Sequence, residues 1–379
     1  AGDIDLDGSS DIILTNFFTK NIVFFKNSGG NFPSPTTTIN TVGRPRVIAV
    51  GDIDKDANGL PDLVVVFKDD IDTPANEDAV LWYRNTGNGN FTNSVEVANA
   101  SEVSNPRGVA IADFDGDKDL DVVAVSNDGG NVTIFLNQGE GVFANPQNIG
   151  TAAKPFTVDV TDLDGDGDID ILVGSENDGG SSDQGTITWF KNNGNNSFSR
   201  ENLVTVAKAQ PNSIVSEDID NDGDLDILAQ NYYFDSGLIY WENTGNAMNP
   251  AFGASVSNPF GLAPNFGTYV ATPTTGDLDG DGDADILTST NNLEFVYFER
   301  TGGAPSSEDV TVTAQENQSY AFDGTEFAFT DPDGVSLEGV KITTLTSGGI
   351  LELAGNAVGL GDVLGTADLA NLTYTPDPN

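Results

Sequence analysis

The sequence of 379 residues predicts an all-β protein, in which a β-propeller of six visible blades is followed by a small C-terminal β-sandwich. Three observations lead to this fold. An acidic motif occurs six times, a second motif keeps step with it, and the segments between them read as short strands bounded by Gly, Asn and Pro. Repeats of this length are typical of folds in which each unit buries its apolar surface against its neighbours.

The acidic motif places aspartates at alternate positions directly before an apolar run. Its fourth copy reads DLDGDGDIDILVG from Asp162. The other copies start at Asp3, Asp52, Asp113, Asp218 and Asp277. Units of roughly 50–60 residues fit one four-stranded propeller blade each.

The second motif ends the third predicted strand of each unit with aromatic residues and a turn. It reads FFKNSGGNF, WYRNTGNGNF, IFLNQGEGVF, WFKNNGNNSF, YWENTGNAMNPAF and, in degenerate form, YFERTGG. Neighbouring residues such as Trp82 and Tyr83, or Trp189 and Phe190, face opposite sides of a strand. Both faces of each sheet must therefore be covered, which favours a propeller over a sandwich, in which only one face is buried.

Five aspartates in nine positions need a counter-ion if the loop is to fold. Two carboxylates about 4 Å apart repel by roughly 1 kcal/mol in water and by several times that at a protein surface. In the fourth copy, the side chains of Asp162, Asp164, Asp166 and Asp170, with the backbone carbonyl of Asp168, form an oxygen set that Ca²⁺ accepts. Mg²⁺ suits it less, because Mg²⁺ demands octahedral geometry and keeps its waters. A solvated acidic turn would explain one such loop but not six in register.

The composition excludes several classes of function. The chain has 59 acidic and 15 basic residues and a net charge of −44, which argues against nucleic acid or an anionic membrane as partner. It has no His and no Cys, so disulfides, imidazole ligands and Ser-His-Asp or Cys-His triads are absent. No apolar run approaches the roughly 18 residues of a membrane span. We expect no enzyme activity, since a carboxylate pair would be the remaining route and the obvious carboxylates are assigned to metal.

The paired motifs resemble the FG-GAP/VCBS repeat family, which includes the propeller of integrin α-subunits. The resemblance rests on the D-x-D-G-D-x-D-x-D loops and the W-F-x-N-x-G-x-G-x-F turns and covers about residues 1–303. It implies one Ca²⁺ in the first hairpin of each blade, about six in all, on an extracellular or cell-surface protein. Blade 1 has no strand before Asp3, so seven blades in the intact protein stay open as an alternative.

The resemblance also implies the ligands of each loop. The side-chain ligands are Asp3, Asp5, Asp7 and Asp11; Asp52, Asp54, Asp56 and Asp62; Asp113, Asp115, Asp117 and Asp121; Asp162, Asp164, Asp166 and Asp170; Asp218, Asp220, Asp222 and Asp226; and Asp277, Asp279, Asp281 and Asp285. The seventh positions, which offer a backbone carbonyl, are Ser9, Asn58, Asp119, Asp168, Asp224 and Asp283. The second loop departs from the pattern by two additional residues.

A different pattern follows the propeller. Residues 304–309, APSSED, read as a linker, and residues 310–379 alternate like the strands of a small sandwich. This last segment resembles the cadherin-like repeats of giant bacterial surface proteins. The resemblance implies a module, cut short at TYTPDPN, in which Glu316, Asp331 and Asp333 are candidates for Ca²⁺ ligands. A plain acidic turn is an equal alternative.

Topology places a candidate ligand site at the end of the propeller opposite the acidic loops. The second-hairpin loops and the connections between blades meet there. Arg46, Arg107, Phe156 and Asn212 each lie six residues before the first Asp of their loop. The loop 231–237 adds Tyr232 and Tyr233. Arginine and aromatic residues dominate binding sites, although charges that merely offset the acidic field would also explain this pattern.

We therefore expect a calcium-binding, extracellular adhesion or ligand-binding module of a large bacterial surface protein. Its partner would be a glycan or a cell-surface protein. Two alternatives remain: a Ca²⁺-stiffened spacer or filament subunit that associates with itself, and, less favoured, a carbohydrate-active enzyme or its binding module.

Overall fold

The computed structural model describes residues 2–32, 34–41, 43–68, 78–87, 89–91, 94–176, 184–207, 211–220, 222–231, 238–245, 250–253, 256–257, 273–276, 284–289, 295–298, 306–307, 311–312, 314, 318–322, 326–327, 329–330, 337, 339–344 and 348–377. Their secondary structure is almost entirely β, in strands joined by turns and loops, as predicted. Within these ranges no helix is long and apolar enough to cross a membrane.

Of the first 24 strands, 22 form six antiparallel sheets, which are the blades, and the other two form a separate hairpin. Blade 1 contains β1 (Ile12–Asn16), β2 (Asn21–Phe25) and β3 (Thr37–Asn40). Blade 2 contains β4 (Arg44–Gly51), β5 (Asp62–Lys68), β6 (Ala79–Tyr83) and β9 (Val95–Ala98), with a turn hairpin of β7 (Asn85–Gly87) and β8 (Asn90–Phe91). Blade 3 contains β10 (Pro106–Ala112), β11 (Asp121–Ser126), β12 (Asn131–Phe135) and β13 (Gln147–Thr151).

The remaining blades repeat this order. Blade 4 contains β14 (Pro155–Thr161), β15 (Asp170–Ser175), β16 (Gln184–Asn192) and β17 (Phe198–Ala207). Blade 5 contains β18 (Pro211–Glu217), β19 (Asp226–Asn231), β20 (Leu238–Trp241) and β21 (Val256–Ser257). Blade 6 contains β22 (Thr274–Gly276), β23 (Asp285–Ser289) and β24 (Phe295–Phe298). In the described part of the chain, no strand of blade 1 pairs with a strand of blade 6.

The core lies between consecutive blades, which confirms the argument from the aromatic pairs. Trp82 packs with Phe135 of blade 3, whereas its neighbour Tyr83 packs with Ile22 of blade 1. In blade 4, Trp189 packs in the apolar cluster shared with blade 5, and its neighbour Phe190 packs in the cluster shared with blade 3. The second strands β5, β11 and β15 are buried on both faces. Each blade is thus a layer between two others, as a propeller requires.

In blades 2–5 the first strand is the innermost, and the ends of these strands show where the two candidate sites lie. Strands β4, β10, β14 and β18 contact one another in this order. Each of them ends at an acidic loop, and each begins at the connection from the preceding blade. Strands of seven or eight residues are about 25 Å long, so features at their two ends are well separated.

The chain divides into two compact units. The first comprises Ala1–Thr275 and Ile286–Phe298, and the second comprises Gly276–Asp285 and Glu299–Asn379. The second unit has a small apolar core of Val358, Leu364, Leu369 and Leu372. Its elements are β25 (Ser306–Ser307), β26 (Tyr320–Ala321), β27 (Phe329–Thr330), β28 (Gly339–Lys341), β29 (Gly349–Leu353), β30 (Asn356–Ala357), β31 (Val363–Gly365), α1 (Thr366–Leu369) and β32 (Leu372–Pro376).

Candidate functional site

The acidic loops bring carboxylate oxygens together as predicted. In the first four loops, one oxygen from each of the first, third and last aspartates lies within 4.8 Å of the others. In the fifth loop, the first, third and fifth positions meet in this way. The groups are Asp3, Asp5 and Asp11; Asp52, Asp54 and Asp62; Asp113, Asp115 and Asp121; Asp162, Asp164 and Asp170; and Asp218, Asp220 and Asp222.

The last aspartate of each loop is buried and holds the loop to the turn of the third strand. One oxygen of Asp121 accepts a hydrogen bond from the backbone N–H of Asn137 at 2.7 Å, and the other accepts one from Phe114 at 2.9 Å. The same pair of bonds recurs at Asp11, Asp62, Asp170 and Asp226. Burial raises the pKa of Asp62, Asp170 and Asp226 to about 6 and that of Asp121 to about 7. A bound cation would stabilise these carboxylates in their charged form.

In the five described loops, the first aspartate organises the turn that follows it. Asp162 accepts hydrogen bonds from the backbone N–H groups of Asp166 at 3.0 Å and Gly167 at 2.9 Å. Gly167 has a φ of +94°, a conformation that glycine adopts without strain. The loop therefore wraps around the carboxylate of its own first residue, and its side chains converge on one point.

A cationic side chain, which the sequence reasoning missed, reaches into three of the loops. It belongs to the residue just before the turn asparagine. Lys26 pairs with Asp5 and Asp7, and Lys191 pairs with Asp164 and Asp166. Arg84 does the same with Asp54 and Asp56 at 2.5 Å each. The second motif carried the signal, because this position is basic in blades 1, 2 and 4 but is Leu136 in blade 3 and Glu242 in blade 5.

The donor set fits a hard divalent cation. All the converging ligand atoms are carboxylate oxygens, the ligand type that Ca²⁺ prefers. The side chain of Asp164 is 2% exposed. Its Oδ1 atom and the Oδ1 atom of Asp5 are both buried and have no hydrogen-bond partner in the described structure. A buried oxygen without a partner is costly, so each of these atoms is suited to a ligand.

The other predicted ligands divide into three cases. The fifth-position residues Asp7, Asp56, Asp117 and Asp166 lie outside the closest group and accept hydrogen bonds from the backbone N–H two residues later. At the seventh positions, Ser9, Asn58, Asp119, Asp168 and Asp224 are the residues that donate these bonds. In the sixth loop, Asp285 is fully buried, whereas Asp277, Asp279, Asp281 and Asp283 lie outside the described residues.

In blades 2, 3 and 4 the turn asparagine joins its blade to the one before it. Nδ2 of Asn137 in blade 3 donates to the carbonyl of Ile53 in the acidic loop of blade 2 at 2.8 Å. Asn85 reaches Ile4 at 2.9 Å and Asn192 reaches Phe114 at 2.9 Å in the same way. All three asparagines are at most 1% exposed. The two repeated motifs are therefore in phase because they are hydrogen-bonded across the interface between blades.

At the opposite end of the innermost strands lies a cavity of about 570 Å³, here called the axial cavity. Four predicted residues from four consecutive blades line it: Arg46, Arg107, Phe156 and Asn212. In each strand the register shifts immediately after a buried proline, at Pro45, Pro106, Pro155 and Pro211. The predicted residues occupy these bulges, which are known to re-aim side chains at functional sites. A Pro–X pair at a constant distance from the loop is the signal that would have predicted the bulges.

Each of the two arginines of the axial cavity lies beside an aromatic ring. The guanidinium of Arg107 lies over the ring of Phe156 at 4.6 Å, and that of Arg46 lies 6.0 Å from Phe17, a lining residue that sequence reasoning missed. The guanidinium of Arg46 is held in position by a hydrogen bond, which its Nη1 donates to Oδ1 of Asn105 at 3.0 Å. Burial and then the charge of Arg107 lower the pKa of Arg46 to about 10. Both arginines therefore remain charged at neutral pH.

Two polar atoms of the axial cavity residues have no partner in the described structure. They are Nε of Arg107 and Oδ1 of Asn212, both buried. None of the ion pairs between described residues involves Arg46 or Arg107. The predicted residues Tyr232 and Tyr233 lie outside the described residues.

Comparison with known proteins agrees with this architecture. No curated protein matches the chain. A lectin of Agrocybe aegerita, solved for its specific recognition of non-reducing terminal N-acetylglucosamine, is 22% identical with a TM-score of 0.50 over 74% of this chain and 71% of that chain. BBS1N, solved in complex with ARL6DN, is 14% identical with a TM-score of 0.50 over 78% and 76%. At these identities the likeness shows the fold alone.

The model of the FG-GAP-like repeat matches residues 3–65, 56–124, 113–173, 179–229 and 218–288. Three of these five matches contain two complete acidic loops each, and the other two contain one. Taken together they span most of the chain, and the protein belongs to the FG-GAP-like repeat family.

Proposed function

We propose that this protein is a calcium-binding adhesion or ligand-binding module of an extracellular surface protein, and that its ligand, a glycan or a glycoprotein, occupies the axial cavity. The observation that carries the proposal is the convergence of Arg46, Arg107, Phe156 and Asn212 on one cavity. Its volume of about 570 Å³ lies within the roughly 300–1,000 Å³ of small-molecule sites.

The acidic loops would hold Ca²⁺ at the other end of the blades. The first, third and last aspartates would supply the side-chain oxygens, and the ion would supply positive charge that offsets their repulsion. These loops are poor candidates for the ligand site itself, because their oxygens are already engaged with backbone N–H groups and with basic side chains. Calcium therefore has a structural role in this proposal.

A binding role is favoured over catalysis. The chain has no His and no Cys, and its clustered carboxylates belong to the loops. The likeness of fold to a lectin is compatible with a glycan as ligand. The segment from residue 310 would be a cadherin-like module through which the propeller is joined to a large bacterial surface protein.

Binding to arrays of glycans and of cell-surface proteins, in Ca²⁺ and again in EGTA, tests the proposal. We expect a Ca²⁺-dependent hit that is weakened when Arg46 and Arg107 are both replaced by Gln. Arg200→Gln is the matched control, because Arg200 is exposed on the outer strand β17 and does not line the cavity. Arrays without any hit, together with Ca²⁺-dependent polymerisation in light scattering, would favour the alternative of a filament subunit.

A further inference from the structure

The axial cavity presents more positive charge than its surroundings neutralise by direct contact. Arg46 and Arg107 line it, and each is at least half-buried without an ion-pair partner among the described residues. Asp78 and Asp128 act on Arg46, and Asp128 and Glu176 act on Arg107, only through longer-range attraction. Within a chain of net charge −44, this is a local reversal of sign.

The unpartnered atoms define what a ligand would have to supply. Nε–H of Arg107 is a buried donor that needs an acceptor, and Oδ1 of Asn212 is a buried acceptor that needs a donor. A carboxylate supplies the acceptor in the planar, bidentate form that guanidinium groups prefer. A hydroxyl close to that carboxylate supplies the donor. Uronic acids carry a carboxylate and a hydroxyl on neighbouring ring carbons, and sialic acids carry a carboxylate and several hydroxyls on one sugar.

We propose that the axial cavity recognises a carboxylate-bearing sugar, with Arg46 and Arg107 on the carboxylate and Asn212 on a neighbouring hydroxyl. This inference rests on the proposed function, since it names the ligand class of the same cavity. A neutral sugar would leave two desolvated guanidinium groups without a counter-charge, which is costly. An acidic peptide carries the carboxylate but has no hydroxyl beside it on the same side chain.

The test is titration calorimetry with galacturonic acid trimer and with sialyl-lactose, each compared with its methyl ester. Esterification removes the charge and leaves the sugar skeleton intact. We expect one or both acids to bind, and their esters to bind at least about tenfold more weakly, because a hydrogen bond to a charged group is worth on the order of ten- to a hundredfold in affinity. A triglutamate peptide is the third probe.

Substitutions of the cavity residues test which side chain binds the carboxylate and which binds the hydroxyl. Arg107→Gln and Arg46→Gln should each weaken binding of the acid about tenfold or more and reduce the difference between acid and ester. Asn212→Ala should weaken acid and ester alike, because it removes the acceptor for the hydroxyl. Arg200→Gln should change neither. Equal melting temperatures and equal Ca²⁺ stoichiometry in all four variants would show that the fold is retained. If an arginine variant does not fold, Asn212→Ala still tests whether the cavity binds the sugar.

The outcomes separate the inference from the proposed function. Equal binding of acid and ester that is still lost in Arg107→Gln would overturn the acidic sugar and leave the cavity as the ligand site. Triglutamate that binds as tightly as the sugar acids would overturn the ligand class. Failure of both acids to bind, with neutral glycans bound on the array, would overturn the inference alone. Failure of every glycan and protein on the arrays would overturn both.

Discussion

Polar residues, as well as apolar clusters, hold the blades together. The last aspartate of each acidic loop and the turn asparagines of blades 2–5 are almost fully buried, and those of blade 3 make several hydrogen bonds. Buried polar groups of this kind stabilise a fold only when every partner is present. A single substitution at one of these positions should therefore lower the free energy of unfolding by more than the small number of atoms removed would suggest.

Asn192→Ala should lower the free energy of unfolding by about 2 kcal/mol or more, because it leaves two buried carbonyls, those of Phe114 and Ile169, without donors. The adjacent Asn193 is exposed, so Asn193→Ala should cost less than about 0.5 kcal/mol. Urea unfolding of both variants measures the difference. Equal losses in the two would contradict a special role for the buried asparagine.

The metal-free protein should become more stable as the pH falls from 8 to 5. Burial raises the pKa of Asp62, Asp170 and Asp226 to about 6 and of Asp121 to about 7, above the ordinary value of 3.8. A carboxyl with a raised pKa binds its proton more tightly in the folded state, so stability rises as the pH falls through 7 and 6 and levels off near pH 4. With Ca²⁺ bound, protons compete with the ion, and the trend should reverse.

Differential scanning calorimetry in EGTA and in Ca²⁺, at several values of pH between 5 and 8, checks this prediction. If the melting temperature of the metal-free protein decreases steadily as the pH is lowered, the buried carboxyls do not control its stability.

At the scale of the elements, the loops share one geometry but differ in charge. Lys26, Arg84 and Lys191 place a cation inside the loops of blades 1, 2 and 4. Blade 3 has Leu136 at this position. Blade 5 has Glu242. Burial raises the pKa of Asp220 to about 6, and the negative charges of Asp222 and Glu242 add to this effect. If the loops bind Ca²⁺ as proposed, loops with an internal cation should bind it more weakly.

Leu136→Lys should therefore weaken one Ca²⁺ site by at least about fivefold, on the order of 1 kcal/mol for a partly exposed charge pair. Lys191→Leu should strengthen one site by a similar factor. Calorimetric titration of Ca²⁺ into the chelated protein measures both, and equal melting temperatures without Ca²⁺ serve as the control. Unchanged affinities in both variants would show that these side chains leave the loops when Ca²⁺ enters.

Much of the fold and of the acidic loops could be predicted from the sequence, because six copies of a motif reveal a spacing that one copy would not. The strands, the burial of both sheet faces and the convergence of Asp162, Asp164 and Asp170 follow from the spacing of residues along the chain. The bond from Asn192 to Phe114 joins residues 78 positions apart, and nothing local to either residue specifies it. The bulge at Arg107 depends on a register shift between two strands, which the Pro–X pair indicates only when its constant distance from the acidic loop is compared among four blades.

At the scale of the whole molecule, stability comes from contacts between neighbours in sequence. Each apolar cluster joins one blade to the next, so the blades stabilise one another in series. The acidic loops place clustered negative charge in every blade, and this charge is part of the net charge of −44.

Removal of Ca²⁺ should therefore lower the melting temperature by more than about 10 °C. Each proposed site saturated at a hundred times its dissociation constant contributes about 2.7 kcal/mol, and about 1 kcal/mol shifts the melting temperature of a large domain by about 2–4 °C. Scanning calorimetry before and after exhaustive chelation tests this, with Ca²⁺ and Mg²⁺ added back separately. An unchanged melting temperature after chelation would contradict the proposed structural role of calcium.

In blades 2, 3 and 4, the bonds from the turn asparagine to the preceding loop all run in one direction along the chain. The carbonyls of Ile4, Ile53 and Phe114 receive their donors from Asn85, Asn137 and Asn192, which are made later during synthesis. A loop emerging from the ribosome is thus incomplete until about 80 further residues have followed it. Folding of the nascent chain should lag one blade behind translation, and a chain that stops after any blade should leave the loop of that blade the least ordered.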